Sequence, residues 1–127
     1  MQLSDIHHVA VIVSDYEKAK EFYVDRLGFT VLRDNLRPER GDRKLDLRVS
    51  DSVELEIFVE PASPPRVTRP EARGLRHLAF RVADVEKAAR ELREKGVECE
   101  PIRTDEFTGG RMTFCFDPDG LPIELHE

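Results

Sequence analysis

Two histidines and two glutamates are spaced so that they could bind one metal ion together. His8 and His77 lie 69 positions apart, and Glu56 and Glu124 lie 68 positions apart. Imidazole nitrogens bind zinc, nickel, copper and iron, and carboxylate oxygens extend such a site toward six ligands with room for water or substrate. The nearly equal separations indicate that the two sets occupy equivalent places in two copies of one unit.

An internal repeat supports that interpretation. At an offset of 69, residues 6–23 align with residues 75–92, and seven of the 18 pairs are identical, the histidines among them. The second copy then loses one residue, so the offset becomes 68 and Glu56 aligns with Glu124. The repeat predicts one domain, residues 1–127, built from two modules and a proline-rich linker. The ranges are 5–60 for module 1, 61–74 for the linker and 75–127 for module 2.

Each module shows the pattern of one strand, one helix and three further strands. In HHVAVIVS and RHLAFRV, apolar and other residues alternate as in a half-buried strand. Ser14 and Glu17 form a capping box for the first helix, Asp84 can cap the second, and Gly28 and Gly96 can end them. The remaining strands are predicted at 29–34, 44–50 and 53–60, then at 97–103, 111–117 and 121–126. The prediction is an α+β fold of two βαβββ modules whose sheets form an open, barrel-like cup.

Strand parity places the candidate ligands on polar sheet faces. Glu56 shares its face with Glu54 and Phe58, whereas Leu55 and Ile57 point to the opposite side. A glutamate on such a face is ordinarily a solvated side chain, and a single histidine is ordinarily a surface residue. Because both residue types recur at equivalent places of the repeat, metal ligation is the favoured interpretation.

Composition excludes several classes of function. The 20 Lys and Arg residues are outnumbered by 26 Asp and Glu, which gives a net charge of −6 and argues against nucleic acid or an anionic membrane as partner. The longest apolar run, residues 9–13, is too short to span a bilayer, and no basic and apolar leader opens the chain, so we expect a cytoplasmic protein. Cys99 and Cys115 lack zinc-site spacing and are predicted to be small core residues.

The sequence resembles the vicinal oxygen chelate superfamily, the group of glyoxalases, bleomycin-resistance proteins and ring-cleaving dioxygenases. The resemblance runs from Ile6 to Glu127, and is strongest to small bacterial proteins similar to glyoxalase I, or lactoylglutathione lyase. Four segments carry it in the expected order: IHHVAVIVSDYEKAKEFYVDRLGF, VELEIF, GLRHLAFRVADVEKA and FCFDPDGLPIEL.

The resemblance implies a metal site and a reaction. The ligands of glyoxalase I-like proteins are His, Glu, His and Glu, which fall here on His8, Glu56, His77 and Glu124. Fosfomycin-modifying transferases and extradiol dioxygenases of this superfamily lack the carboxylate at the position of Glu56. The implied reaction moves a proton through a metal-stabilised enediolate of a hemithioacetal such as that of methylglyoxal. Glu124 is the implied catalytic base, and Glu56 is the second candidate.

At two positions this sequence differs from glutathione-using glyoxalases, and both positions bear on the identity of the substrate. Glutathione-using glyoxalases commonly carry Arg four residues after the first histidine and Asn four residues after the first glutamate, where this chain has Ile12 and Glu60. We therefore expect another thiol adduct or another small oxygenated carbonyl compound. Arg48 and Arg81 can bind an anion or lie at the sheet rim, and His126 can support Glu124 or lie at a frayed end.

Alternatives remain open for the function, the metal and the assembly. One alternative function is a small-molecule binding or drug-resistance protein, with or without metal, which would catalyse no reaction. Another is a thiol transferase or dioxygenase, which needs only three protein ligands for its metal. The expected cofactor is one divalent ion per site, nickel, zinc or cobalt, with manganese also compatible. A homodimer is expected, because pairing would cover an apolar sheet edge, and the ligands would then come from one chain or from two.

Overall fold

The computed structural model describes all 127 residues and divides into two compact units, Met1–Pro64 and Pro65–Glu127. The division falls inside the predicted linker. The elements of the first unit are β1 (His8–Val13), α1 (Tyr16–Lys20) continued by a π-helical segment (Glu21–Arg26), β2 (Thr30–Arg37), β3 (Asp42–Arg48) and β4 (Glu54–Val59). Those of the second unit are β5 (Leu78–Arg81), α2 (Val85–Glu94), β6 (Arg103–Thr104), β7 (Arg111–Phe116) and β8 (Pro122–His126).

Both units contain a four-stranded sheet with the same topology. The strand order is β1-β4-β3-β2 in the first unit and β5-β8-β7-β6 in the second. In each sheet the opening strand runs parallel to the closing strand, and the other neighbours are antiparallel. The prediction of an α+β fold built from a repeated βαβββ unit is therefore confirmed.

The apolar face of each sheet forms the core of its own unit. In the first unit the inward side chains of the strands and of the helical segments are almost completely buried, among them Tyr23, Leu45, Leu47, Leu55 and Ile57. In the second unit α2 buries side chains at helical spacing, and the sheet contributes further apolar residues; the buried set includes Val85, Ala89, Leu92, Cys115 and Ile123. The opposite face of each sheet carries polar side chains together with some apolar ones, such as Phe58 and Phe114.

The helix boundaries agree with the sequence signals except at one cap. Asp84 caps α2 by accepting a hydrogen bond from the Lys87 amide at 3.0 Å. The first cap is Asp15 rather than Ser14, because the Asp15 carboxylate accepts from the Lys18 amide at 2.9 Å. Gly28 and Gly96 follow the helices with φ of 85° and 78°, left-handed values that favour glycine.

The strand predictions were least accurate between α2 and β7. A strand over 97–103 was expected, but only Arg103–Thr104 is a strand. Pro101 has no amide proton, so it cannot continue the backbone ladder that begins where the Glu100 amide donates to the Phe114 carbonyl at 2.8 Å. In the first unit β2 extends three residues beyond its predicted end, and β3 ends two residues before its predicted end.

No helix in the structure is long and apolar enough to cross a bilayer.

The two cysteines differ in environment. Cys115 is fully buried, as predicted, whereas Cys99 is only partly buried. A hydrogen bond from the Cys115 thiol, reinforced by the charge of Arg93, lowers the pKa of Cys99 to about 7 against the opposing effect of burial. The same interaction, together with burial, raises the pKa of Cys115.

We therefore predict that Cys99 reacts with iodoacetamide at half its maximal rate near pH 7, because the thiolate is the reactive form. An unperturbed cysteine reaches that point only at about pH 8.5. Mass spectrometry of the alkylated peptide as a function of pH measures the midpoint. The variant Cys115→Ala removes the donor and should move the midpoint upward. A wild-type midpoint above about pH 8 would contradict the prediction.

Candidate functional site

The first unit brings His8 and Glu56 together. The residue Ala10, two positions after His8, pairs with Glu56 across the parallel strands β1 and β4, so both candidate ligands project from the same face. His8 Nε2 lies 3.6 Å from Glu56 Oε2. His7 Nδ1 lies 2.8 Å from Nδ1 of His8. When His8 is the donor in that contact, its Nε2 is unprotonated and able to bind a metal.

A charged network surrounds Glu56. Lys44 Nζ lies 2.7 Å from Glu56 Oε1 and 3.1 Å from Asp46 Oδ1. Arg33 donates from Nε to Asp46 Oδ2 at 2.8 Å. The hydrogen bond to Glu56 and the contacts with Asp46 raise the pKa of Lys44. One oxygen of Glu56 is therefore engaged by Lys44, and the other faces His8.

The second unit brings His77 and Glu124 together in the equivalent place. Ala79 pairs with Glu124 across β5 and β8, as Ala10 pairs with Glu56. His77 Nε2 lies 2.8 Å from Glu124 Oε2, and the Glu124 side chain is 9% exposed. The His77 ring packs edge-on against Phe114, with ring centroids 5.2 Å apart.

The surroundings of Glu124 differ from those of Glu56. Phe114 is the cross-strand neighbour of Glu124, where Asp46 is that of Glu56. No lysine or arginine pairs with Glu124. Its ionisable neighbours are His77 and His126, whose Nε2 lies 3.9 Å from Glu124 Oε1. Glu124 is therefore the more buried carboxylate and the less constrained by cations.

Sequence reasoning found the four candidate ligands but missed Lys44 and Asp46. Strand alternation places both on the face of Glu56, and this was the available signal. The contact itself depends on the β3–β4 register, which puts Asp46 directly opposite Glu56. At the offset of 68 the corresponding positions are Met112 and Phe114, so the repeat gave no indication of a charged network.

The spacing within each pair is close to that of two ligands on one metal ion. Two ligand atoms about 2.1 Å from one ion lie about 3.0 to 3.4 Å apart at octahedral or tetrahedral angles. The observed separations of 3.6 and 2.8 Å lie just outside that range on either side. Each unit thus supplies two of the four candidate ligands. Neither unit contains a cluster of three or more His, Cys, Asp or Glu side chains arranged to hold a metal ion.

The remaining candidate residues lie apart from the two pairs or at their edges. Arg48 and Arg81 are exposed, opposite Glu54 and His126 in the ladders. Ile12 is 53% exposed on the face of His8. His126 belongs to β8, and is therefore not a frayed end.

Comparison with known proteins gives a single family. The sequence profile of the Glyoxalase/Bleomycin resistance protein/Dioxygenase superfamily matches residues 5–125. The uncharacterized protein YwkD of Bacillus subtilis is 59% identical over 127 residues, which are 100% of this chain and 99% of YwkD. A crystal structure of a glyoxalase family protein from Enterococcus faecalis is 57% identical, with a TM-score of 0.94 and coverage of 100% of both chains.

More distant relatives include two proteins with named activities. A 2-epi-5-epi-valiolone epimerase from Actinomyces sp is 33% identical over 141 residues, covering 94% of this chain and 77% of the epimerase. The trypanothione-dependent glyoxalase I of Leishmania major is 28% identical, with a TM-score of 0.73 and coverage of 97% of this chain and 86% of that one. By sequence profile, identity and fold, the chain belongs to the Glyoxalase/Bleomycin resistance protein/Dioxygenase superfamily.

Proposed function

We propose that the protein is a metal-dependent lyase or isomerase of the glyoxalase I type. The observation that carries the proposal is the recurrence of one His–Glu pair at the same place in both sheets. The substrate would be a hemithioacetal or a related compound with two adjacent oxygens. The reaction would remove a proton from one of two adjacent carbons and return it to the other, so that a hemithioacetal becomes a 2-hydroxyacyl thioester without gain or loss of electrons.

The four ligands in this proposal are His8, Glu56, His77 and Glu124, and the metal is nickel, zinc, cobalt or manganese. When bound, such an ion supplies a Lewis acid that stabilises the negative charge developing on the substrate oxygens. The remaining task of the protein is to move the proton. A carboxylate in hydrogen-bond reach of the carbon-bound proton can do this as a general base.

Glu124 is the better candidate for that base. Its side chain is largely buried beside Phe114, and no lysine or arginine competes for its oxygens. Glu56 is the less suitable of the two, because Lys44 Nζ already engages its Oε1 at 2.7 Å. We therefore assign proton transfer to Glu124 and a purely ligating role to Glu56.

The thiol in the proposed substrate is not expected to be glutathione. The positions that commonly hold the glutathione carboxylate and amide in such enzymes carry Ile12 and Glu60. An apolar side chain offers no charge to that tripeptide, and the carboxylate of Glu60 would repel its glutamyl carboxylate. A smaller thiol, or a substrate without a thiol, fits these residues better.

The test uses metal-free protein that is reconstituted separately with nickel, cobalt, manganese or zinc. Each sample is mixed in D₂O with methylglyoxal and glutathione or another small thiol, and proton NMR follows thioester formation and deuterium exchange. We expect metal-dependent conversion with at least one thiol. Binding of metal and adduct without exchange would instead identify a binding protein, and failure to retain any metal would overturn the chelate site.

We also propose that the chain forms a homodimer, in which a site can draw its ligands from two chains. The pair of variants His8→Ala/Glu56→Ala and His77→Ala/Glu124→Ala distinguishes the arrangements. If sites are shared, the co-expressed variants form a mixed dimer with one complete ligand set and regain metal binding. If each site belongs to one chain, no mixture regains it, and light scattering reports the dimer independently.

A further inference from the structure

A cavity opens beside His77 in the second unit, with a volume of about 210 Å³. Phe114 and Phe116 provide an apolar wall, and three arginines, Arg69, Arg76 and Arg103, lie among the lining residues. Three guanidinium groups around one small cavity are unusual in a chain whose net charge is −6. The cavity therefore has the charge and the size to receive a small anionic group.

The carboxylates near this cavity do not engage its arginines strongly. Arg76 Nε lies 3.6 Å from Glu71, and Arg103 Nη2 lies 3.3 Å from Glu100. Both pairs are substantially exposed, so they contribute little and exchange readily with another anion. Arg69 forms no hydrogen bond or ion pair, which leaves an excess of one positive charge at the cavity.

The arginines of the first sheet provide a contrast. Arg43 donates two hydrogen bonds to the Asp34 carboxylate, at 2.7 and 2.9 Å, and Arg37 donates two to Asp42. Arg33 is similarly fixed by Asp46. These guanidinium groups already have the paired contacts that a planar carboxylate provides. The arginines around the cavity beside His77 lack such paired contacts and can bind an oxyanion from solution.

We propose that this cavity is an oxyanion subsite that holds a carboxylate or phosphate group of the substrate. Arg103 and Arg76 bind the oxyanion, and Phe114 and Phe116 contact the short carbon segment that joins it to the reacting carbons. The assignment rests on the proposed function for the identity of the reaction, and it narrows the substrate to small oxygenated carbonyl compounds that carry a negative charge. His77 lines the same cavity, so the oxyanion would lie next to a candidate metal ligand.

The experiment uses metal-free protein, because oxyanion binding at the arginines requires neither metal nor turnover. Inorganic phosphate and propionate are titrated separately into ¹⁵N-labelled wild-type chain, and the backbone amide and arginine Nε resonances are followed by NMR. The variants are Arg103→Met, Arg76→Met and, as a matched control, Arg90→Met. Arg90 is an exposed residue of α2 outside the cavity, and its loss changes the net charge equally.

In the wild-type chain we expect the largest NMR shifts at His77 and Phe114. Arg103→Met and Arg76→Met should bind the anion about 10-fold more weakly, because each loses one charge-assisted hydrogen bond. Arg90→Met should bind within about 2-fold of wild type, since a distant charge is screened. Tighter binding of propionate would identify a carboxylate substrate, and tighter binding of phosphate a phosphorylated one. Absence of binding to wild type, or equal weakening in all three variants, would overturn the subsite while leaving the proton-transfer proposal to its own test.

Discussion

Replacement of Glu124 by glutamine is expected to slow proton transfer at the substrate carbon by about 10²- to 10⁴-fold, the usual contribution of a general base. Glutamine has nearly the same shape and retains an oxygen that can bind a metal, but it cannot accept the proton. The measurement is the rate of deuterium exchange in D₂O with the metal-reconstituted protein. Bound metal, determined by elemental analysis, should fall much less than the exchange rate.

The matched control for this variant is Glu56→Gln. Lys44 engages Glu56 Oε1, so in our assignment Glu56 never carries the proton. Glu56→Gln should therefore slow deuterium exchange much less than Glu124→Gln does. Glu56→Ala, which removes the ligand altogether, should damage both metal binding and exchange. If the two glutamine variants lose exchange equally, or Glu56→Gln loses more, the assignment of the base to Glu124 is wrong.

Replacement of His77 by alanine is expected to weaken metal binding by at least about 100-fold, because loss of a direct ligand should cost no less than loss of a residue that supports one. In this variant Glu124 would lose its 2.8 Å neighbour and remain largely buried beside Phe114. Competition with a chromophoric chelator measures the affinity for nickel, cobalt, manganese and zinc. Circular dichroism verifies that the variant is folded.

His126→Gln is the control for His77→Ala. His126 Nε2 lies 3.9 Å from Glu124 Oε1, so it is close to the pair without being a candidate ligand. Replacement of His126 should change the metal affinity by less than about 10-fold, which is the smallest loss usual for a residue that supports a metal ligand. Equal losses in the two variants, or unchanged affinity in His77→Ala, would contradict the ligand assignment.

Much of the fold could be predicted because it is encoded locally and then repeated. Alternation in the strands fixed which side chains share a face, and the offsets of 69 and 68 placed His8 with His77 and Glu56 with Glu124. Local sequence signals were ambiguous where two neighbouring residues can both cap the same helix. Ser14 and Asp15 can both cap a helix, and only the backbone conformation at Asp15, with φ of −139°, decides between them.

The charged network around Glu56 could not be predicted in the same way. Lys44 and Asp46 lie on a different strand, and their contact with Glu56 depends on the register between β3 and β4. Such pairing is nonlocal, and a pattern within one strand gives the face of a residue but not its neighbour across the ladder. The same limit applies to the cavity beside His77, because its lining residues come from segments far apart in the sequence.

Equivalent positions of the two modules carry different residue types, and this difference has an evolutionary consequence. After duplication of a module, the proposed site with four ligands would constrain only two side chains in each copy, one histidine and one glutamate. Positions such as Lys44 and Met112, or Asp46 and Phe114, are free to diverge although they occupy the same place on the sheet. One copy can then accumulate ion pairs around its proposed ligand, while the other acquires the contacts that we propose select a substrate.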